Sequence, residues 1–269
     1  MPELRVQGCA LYFTDQGSGD AVVLIHGTGA NADIWADALA LIAAEHRMIA
    51  YDRRGFSRSL ADPVRDWSLH YSDAIELIER LGAQPATVVG WSSGGPIALE
   101  VARHRPDLVK ALVLLEAAMP LMATLTPSGL RLVLQGKVTQ LIKGDRETAR
   151  WFYRWATSYR SGGNSFDLMG AALQEAELAN ATPAMEEIEG ARRGAGHLGA
   201  ATLRRITVPA FCVFGEDGAH GWYRRTTRYL AQSLPRGWLR SIPGASHAAF
   251  LDQPQAFAAI VTEAIESAG

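Results

Sequence analysis

The sequence predicts an α/β fold, a mostly parallel sheet with helices on both faces and a helical cap inserted after the sixth strand. Three observations carry this. Short unbroken apolar runs recur along the chain, glycine or charged residues stop each one, and segments of helical spacing lie between them. Strands buried on both faces read as continuous apolar runs rather than alternating ones, and strands that alternate with helices build parallel sheets.

The elements follow in order. The apolar run 22–25 ends in His26-Gly27-Thr28-Gly29, a strand entering a glycine-containing loop. A second strand over 47–51 stops at Asp52-Arg53-Arg54-Gly55. Ile75, Ile78 and Leu81 recur at helical spacing, so 71–81 reads as a helix. The run 86–90 is a third strand, broken sharply at Gly90 and followed by a helix from Ser93 to about Arg103; 111–115 is a further strand. The alternation stops near Met119. Between there and about Leu203 the chain is helical in character, chiefly over 128–142, 145–159 and 168–180. Strand patterns return at 209–214 and 237–242, and a helix over about 255–267 closes the chain. The expected division is a core of 1–118 and 204–269 with a helical cap over 119–203.

Composition narrows the function classes. With 48% hydrophobic and 20% charged residues the chain reads as a well-packed globular protein. A formal charge of −2 gives no electrostatic reason to expect nucleic acid or a membrane surface as partner. Cys9 and Cys212 lie far apart without CxxC spacing and read as buried thiols. The N-terminus lacks a basic start followed by an apolar run, and no apolar stretch reaches the length of a membrane span, so a cytoplasmic setting is expected. No HExxH and no GxGxxG after a strand occur, so neither metal nor dinucleotide is expected as a cofactor.

The chemistry concentrates in a few residues. Gly90-Trp91-Ser92-Ser93-Gly94 fits G-x-S-x-G between a buried strand and a helix. A turn this tight strains the serine backbone and needs small neighbours; in return it holds the hydroxyl at a helix N-terminus, where free N–H groups favour an oxyanion. A serine hydroxyl needs a base. Among seven histidines, His247 follows a strand and the turn Pro243-Gly244-Ala245-Ser246 near the C-terminus, in the order Ser…His that this architecture uses. The N–H groups of Thr28 and Ser93 are the candidate oxyanion donors. His46, His70 and His104 read as structural, whereas His197 and His220 lie where they could line a pocket.

With these motifs the core resembles the α/β-hydrolase family: His26-Gly27, the stretch from Tyr51 to Ser59, the elbow at Ser92, and the Pro243–His247 turn. The resemblance implies a serine hydrolase with a Ser-acid-His triad, and it makes the Asp52-Arg53-Arg54-Gly55 stretch a structural turn without a catalytic role. The acid has two candidates. Family members commonly carry it in the loop after the penultimate strand as Gly-x-x-Asp; here that loop is Gly215-Glu216-Asp217-Gly218, so Asp217 stands one position early. Some relatives, including haloalkane dehalogenases and fungal zearalenone lactonases, use a glutamate at the strand end where Glu116 stands. Glu116 also interrupts an apolar run at the sheet's ligand-binding edge, where a carboxylate needs a partner such as His247. Glu116 is therefore preferred over Asp217.

Substrate contacts are sought in the cap, which carries Trp151, Phe152, Tyr153 and Trp155. Trp151 and Trp155 share a helix face, and 152 and 153 point elsewhere. Gly27 and Trp91 flank the nucleophile and join Trp151 and Trp155 as candidate contacts. Such a lining suits a small hydrophobic ester or lactone, while Ser92 in place of aspartate argues against dehalogenase or epoxide-hydrolase chemistry. A C–C bond hydrolase and a cofactor-free perhydrolase would use the same residues. A non-catalytic small-molecule binding protein is the alternative from another class.

Overall fold

The computed structural model describes residues 2–60, 66–119, 127–192 and 198–267. Eight strands form one sheet: β1 (Glu3–Val6), β2 (Cys9–Gln16), β3 (Ala21–Ile25), β4 (Arg47–Tyr51), β5 (Ala86–Trp91), β6 (Val109–Leu115), β7 (Ala210–Gly215) and β8 (Gly237–Ile242), in the order β1-β2-β4-β3-β5-β6-β7-β8. From β4 to β8 all neighbours are parallel; β1 and β2 pair antiparallel at one edge. That edge hairpin was not anticipated. It turns at Gln7 and Gly8 with φ of 44° and 81°. Positive φ at both central residues is the twist-matched geometry usually announced by Asn-Gly, and Gln-Gly carries it less legibly.

Strand periodicity builds two cores. Val22 and Leu24 face one side of β3 with Val89, Val113 and Val213; Val23 and Ile25 face the other with Val88, Leu112 and Cys212. The first core is covered by α1 (Ala36–Ile42), α10 (Ala249–Asp252) and the C-terminal α11 (Pro254–Glu266), the second by α2 (Ser68–Arg80), α3 (Gly94–His104) and α9 (Gly221–Ser233). Full burial of each aliphatic side chain stabilises by about 1.5–3 kcal/mol, which is why these strands need no polar face.

The chain crosses from one side of β3 to the other after β4, so β3 and β5 flank the switch in strand order. Ligands bind at the carboxyl ends of strands at such a point. Thr28 follows β3, Ser92 follows β5, Glu116 follows β6, and His247 follows β8.

Between β6 and β7 lie α4 (Pro127–Ala156), α5 (Ser165–Leu168), α6 (Ala171–Ala179), α7 (Ala181–Arg192) and α8 (Ala200–Leu203). Helix α4 is broken at Gly144, whose φ of 78° and ψ of 177° only glycine adopts easily, and the break falls in the gap between the expected 128–142 and 145–159 helices. The expected 168–180 helix is divided at Gly170 into α5 and α6. Helix α7 was not singled out. Cys9 and Cys212 are buried and unpaired thiols. No helix among the described residues is long and apolar enough to cross a membrane.

Candidate active site

Ser92 has a φ of 52°, the left-handed region that a non-glycine residue enters only at a cost of about 1–3 kcal/mol. Three backbone bonds hold it there. Its N–H donates to the Leu115 carbonyl at 3.0 Å, and its carbonyl accepts from Gly95 N at 3.0 Å and Ala118 N at 2.9 Å. A Cβ on Gly90 would lie 2.5 Å from the Gly94 carbonyl oxygen, and one on Gly94 would strike the end of β3. The turn therefore closes only with glycine at both positions, and it leaves the Ser92 hydroxyl at the N-terminus of α3.

His247 Nδ1 lies 2.7 Å from Glu116 Oε2, with both side chains buried. The other carboxylate oxygen, Oε1, accepts from Gly215 N at 2.9 Å. Glu116 is itself strained (φ 42°) and its N–H donates to Val213 O at 2.8 Å, which continues the β6–β7 pairing past the strand end. A carboxylate on Nδ1 fixes the tautomer in which Nε2 is the basic nitrogen. The ring is clamped further: Tyr223 of α9 stacks on it at 3.9 Å between centroids, and Trp91 Nε1 donates to the His247 carbonyl at 2.8 Å. Asp217 is elsewhere engaged. Its Oδ2 accepts from Gly244 N at 2.8 Å, its side chain is half exposed, and it tightens the turn that leads to His247.

The loop after β3 is built around a neutral histidine. His26 Nε2 accepts from Arg53 N at 2.9 Å and Nδ1 contacts Gly27 O at 2.8 Å; burial, reinforced by the Arg53 charge, brings its pKa down to about 3. Thr28 Oγ1 donates to Ser93 Oγ at 3.0 Å, which ties this loop to the elbow. Among the described residues the backbone N–H groups of Thr28 and Ser93 donate to no protein acceptor. The Asp52-Arg53-Arg54-Gly55 stretch is a turn, as the resemblance implies, and Arg53 also reaches the site. Its guanidinium is fully buried, pairs with Glu187 of α7 at 2.7 and 3.1 Å, and lies 3.3 Å from Ser93 Oγ. Burial raises the Glu187 carboxyl but the Arg53 charge outweighs it, holding the pKa at about 2.

Two cavities open at Ser92. The outer one, of about 180 Å³, is lined by Trp151, Phe152, Trp155, Leu132, Ile188 and Glu187 among others. The inner one, of about 20 Å³, is bounded by Thr28, Trp91, Ser92, Tyr153, Glu177 and His247 with apolar neighbours. Phe152 lines both and Tyr153 the inner one, so these two do not point away as helix spacing suggested. Gly27 requires a correction: it lines neither cavity, and a Cβ there would lie 3.0 Å from Ser92 Cβ, so it is a spacer beneath Ser92. His220 does not line them either. It packs on the Trp155 ring at 4.1 Å and bonds Trp155 O at 2.7 Å. His197 lies outside the described residues.

The sequence reading missed Arg53, Glu177, Glu187 and Tyr223. The two glutamates are embedded among Glu175, Glu186 and Glu189, and no local pattern separates a buried carboxyl from solvated ones on adjacent positions. Among the described residues no group of three or more His, Cys, Asp or Glu side chains could hold a metal ion.

The comparisons with known proteins agree with this architecture. A pimeloyl-[acyl-carrier protein] methyl ester esterase of Pectobacterium carotovorum is 29% identical over 258 residues, covering 92% of this chain and 95% of that one. The non-heme chloroperoxidase CPO-A1 of Kitasatospora aureofaciens is 29% identical over 256 residues, with 89% of each chain covered. Among solved structures, a thermophilic esterase from Thermogutta terrifontis superposes with a TM-score of 0.80 at 19% identity, over 100% of this chain and 99% of that one, a likeness of fold. The model of the alpha/beta hydrolase family matches residues 22–260, a span that runs from β3 through the elbow and His247 into α11, and the chain belongs to that family.

Proposed function

We propose that the protein is a serine hydrolase that cleaves an ester or lactone bond of a small, largely apolar substrate through an acyl-enzyme on Ser92. The observation that carries this reading is the 2.7 Å bond from Glu116 to His247 Nδ1, with Ser92 and His247 on one cavity. His247 Nε2 takes the Ser92 hydroxyl proton as Oγ attacks the substrate carbonyl. The Thr28 and Ser93 N–H groups, aided by the N-terminus of α3, hold the oxyanion. His247 then gives its proton to the departing alcohol, and water releases the acid by the same route in reverse. Glu116 holds the ring in place and stabilises the imidazolium.

The outer cavity sets the substrate class. Its surface is dominated by indole, phenyl and aliphatic groups, which favours a neutral apolar body over a charged one. The helices between β6 and β7 act as the cap, and Trp151 and Trp155 are its substrate contacts. Turnover of short 4-nitrophenyl esters and of γ- and δ-lactones by the wild type, and its loss in a folded Ser92→Ala variant, is the expected outcome. Substantial residual activity in that variant removes Ser92 from the mechanism.

A second reading, perhydrolysis by the same residues with hydrogen peroxide replacing water, is favoured by the likeness to the chloroperoxidase over 89% of the chain. Peroxide-dependent formation of peracid from acetate distinguishes it from hydrolysis alone.

A further inference from the structure

One buried ionisable group at the site has no part in the steps above. Glu177 of α6 is 4% exposed, lines the inner cavity with Ser92 and His247, and its carboxyl bonds to no group among the described residues. We infer that the inner cavity seats the hydrolytic water and that Glu177 is the positioning residue that orients it for attack on the acyl-enzyme. The inference rests on the reading of Ser92 as the acylated nucleophile.

Size decides what the inner cavity takes. A water needs roughly 10–15 Å³ of such volume together with two to four polar partners. The inner cavity has about 20 Å³ and the outer one about 180 Å³, so the substrate body belongs outside and a single water inside. Partners for that water are at hand, since Ser92, His247 and Glu177 all border the same small space. Glu177 is also held in place. One turn beyond it, Asn180 donates to Gly29 O at 2.8 Å and accepts from Ser57 N at 2.8 Å, which pins the end of α6 to the oxyanion loop and to the turn after β4.

The protonation state fits the task. Burial lifts the Glu177 carboxyl to about 8, so it is neutral at pH 7. A neutral carboxyl accepts one water hydrogen without competing with His247 for the other. The water oxygen then bonds to the acyl carbon as its proton passes to His247 Nε2. When the bond from that carbon to Ser92 Oγ breaks, His247 returns the proton to Oγ and the carboxylic acid leaves. Glu177 ends as it began.

Acylation does not need this water and deacylation does, which gives the test. Rapid mixing with 4-nitrophenyl acetate reads acylation from the nitrophenolate burst and deacylation from the steady state, and intact mass reads the acetyl-enzyme. In Glu177→Leu the burst rate is expected to stay near that of the wild type while kcat falls about ten- to a hundredfold and acetyl-enzyme accumulates. Glu177→Gln keeps an acceptor of the same shape and restores most of kcat; if the leucine variant does not fold, Glu177→Met takes its place. Parallel loss of both phases, unchanged kcat in the leucine variant, or a glutamine variant as slow as leucine would each overturn the inference. A wild type that neither bursts nor reacts at Ser92 with a fluorophosphonate rejects the serine-hydrolase reading itself, and the inference falls with it. Normal labelling with the wrong partition rejects the inference alone.

Discussion

At the scale of single residues, Glu116 and Asp217 show how a site is decided by partners rather than by position in a motif. Glu116 spends one oxygen on His247 and the other on a backbone N–H, so both acceptor sites are satisfied inside the protein. Asp217 spends an oxygen on the Gly244 N–H and half its surface on solvent. Glu116→Gln is therefore expected to lower kcat by about 10³–10⁴, the loss seen when a triad acid no longer fixes the histidine tautomer, while Asp217→Asn stays within a few-fold. Steady-state kinetics on one good ester check the ranking, and the reverse order moves the acid to Asp217. The sequence could rank these candidates because Glu116 interrupts an apolar run, a physical anomaly at that spot. It could not find Glu177 or Glu187, whose neighbours on the helix are chemically identical and differ only in which way the helix faces.

At the scale of elements, the parallel strands and their following loops were legible because each is short, continuous and apolar, and the elbow is a local motif that glycine spacing alone enforces. The helices between β6 and β7 were legible as helices, down to the break near Gly144, but not in how they meet the sheet and its loops. That junction depends on long-range pairs. The clearest is the buried ion pair of Arg53, in the turn after β4, with Glu187 on α7. Removing one partner leaves a buried charge without compensation, which costs about 3–5 kcal/mol, whereas removing both together costs far less. Arg53→Met is thus expected to lower the unfolding midpoint sharply, and the double variant Arg53→Met with Glu187→Leu to recover most of it. Denaturant unfolding of the three proteins measures this. Equal destabilisation in single and double variants would show that packing at Arg53, not charge, joins α7 to the turn after β4.

At the scale of the whole molecule, buried ionisable groups set the pH range of stability. His26 and His70 are held neutral at pKa values of about 3, each mainly by burial. Unfolding lets both take up protons below their ordinary 6.5, so their contribution is lost as pH falls from about 6.5 toward 3. Glu187, depressed to about 2 from 4.5, adds a loss as pH falls below 4.5. Glu177 has the opposite sign: raised from 4.5 to about 8, it stays protonated in the native state and releases its proton on unfolding, so stability falls as pH rises through that window. Between 4.5 and 6.5 the two histidines outweigh Glu177 by one proton, and stability declines by about 1.4 kcal/mol per unit toward acid. Above 6.5 Glu177 alone gives a similar decline toward pH 8. These groups place the stability maximum near pH 6.5, and Glu177→Gln is expected to remove the alkaline decline. Thermal unfolding from pH 4 to 8 tests it, and a wild-type midpoint that climbs between pH 6.5 and 8 contradicts it. A positioning carboxyl that is costly at neutral pH is an instance of function held at the expense of stability.

The same whole-molecule arrangement, strand ends converging at the switch in strand order, puts Ser92 where a ligand of this fold binds, and its reactivity is the property to test. Intact-mass analysis after brief exposure to a fluorophosphonate tests it most directly. A single adduct on the wild type, none on Ser92→Ala, and greatly slowed labelling of His247→Ala are expected. No adduct on folded wild type, or an adduct that persists in Ser92→Ala, would contradict it.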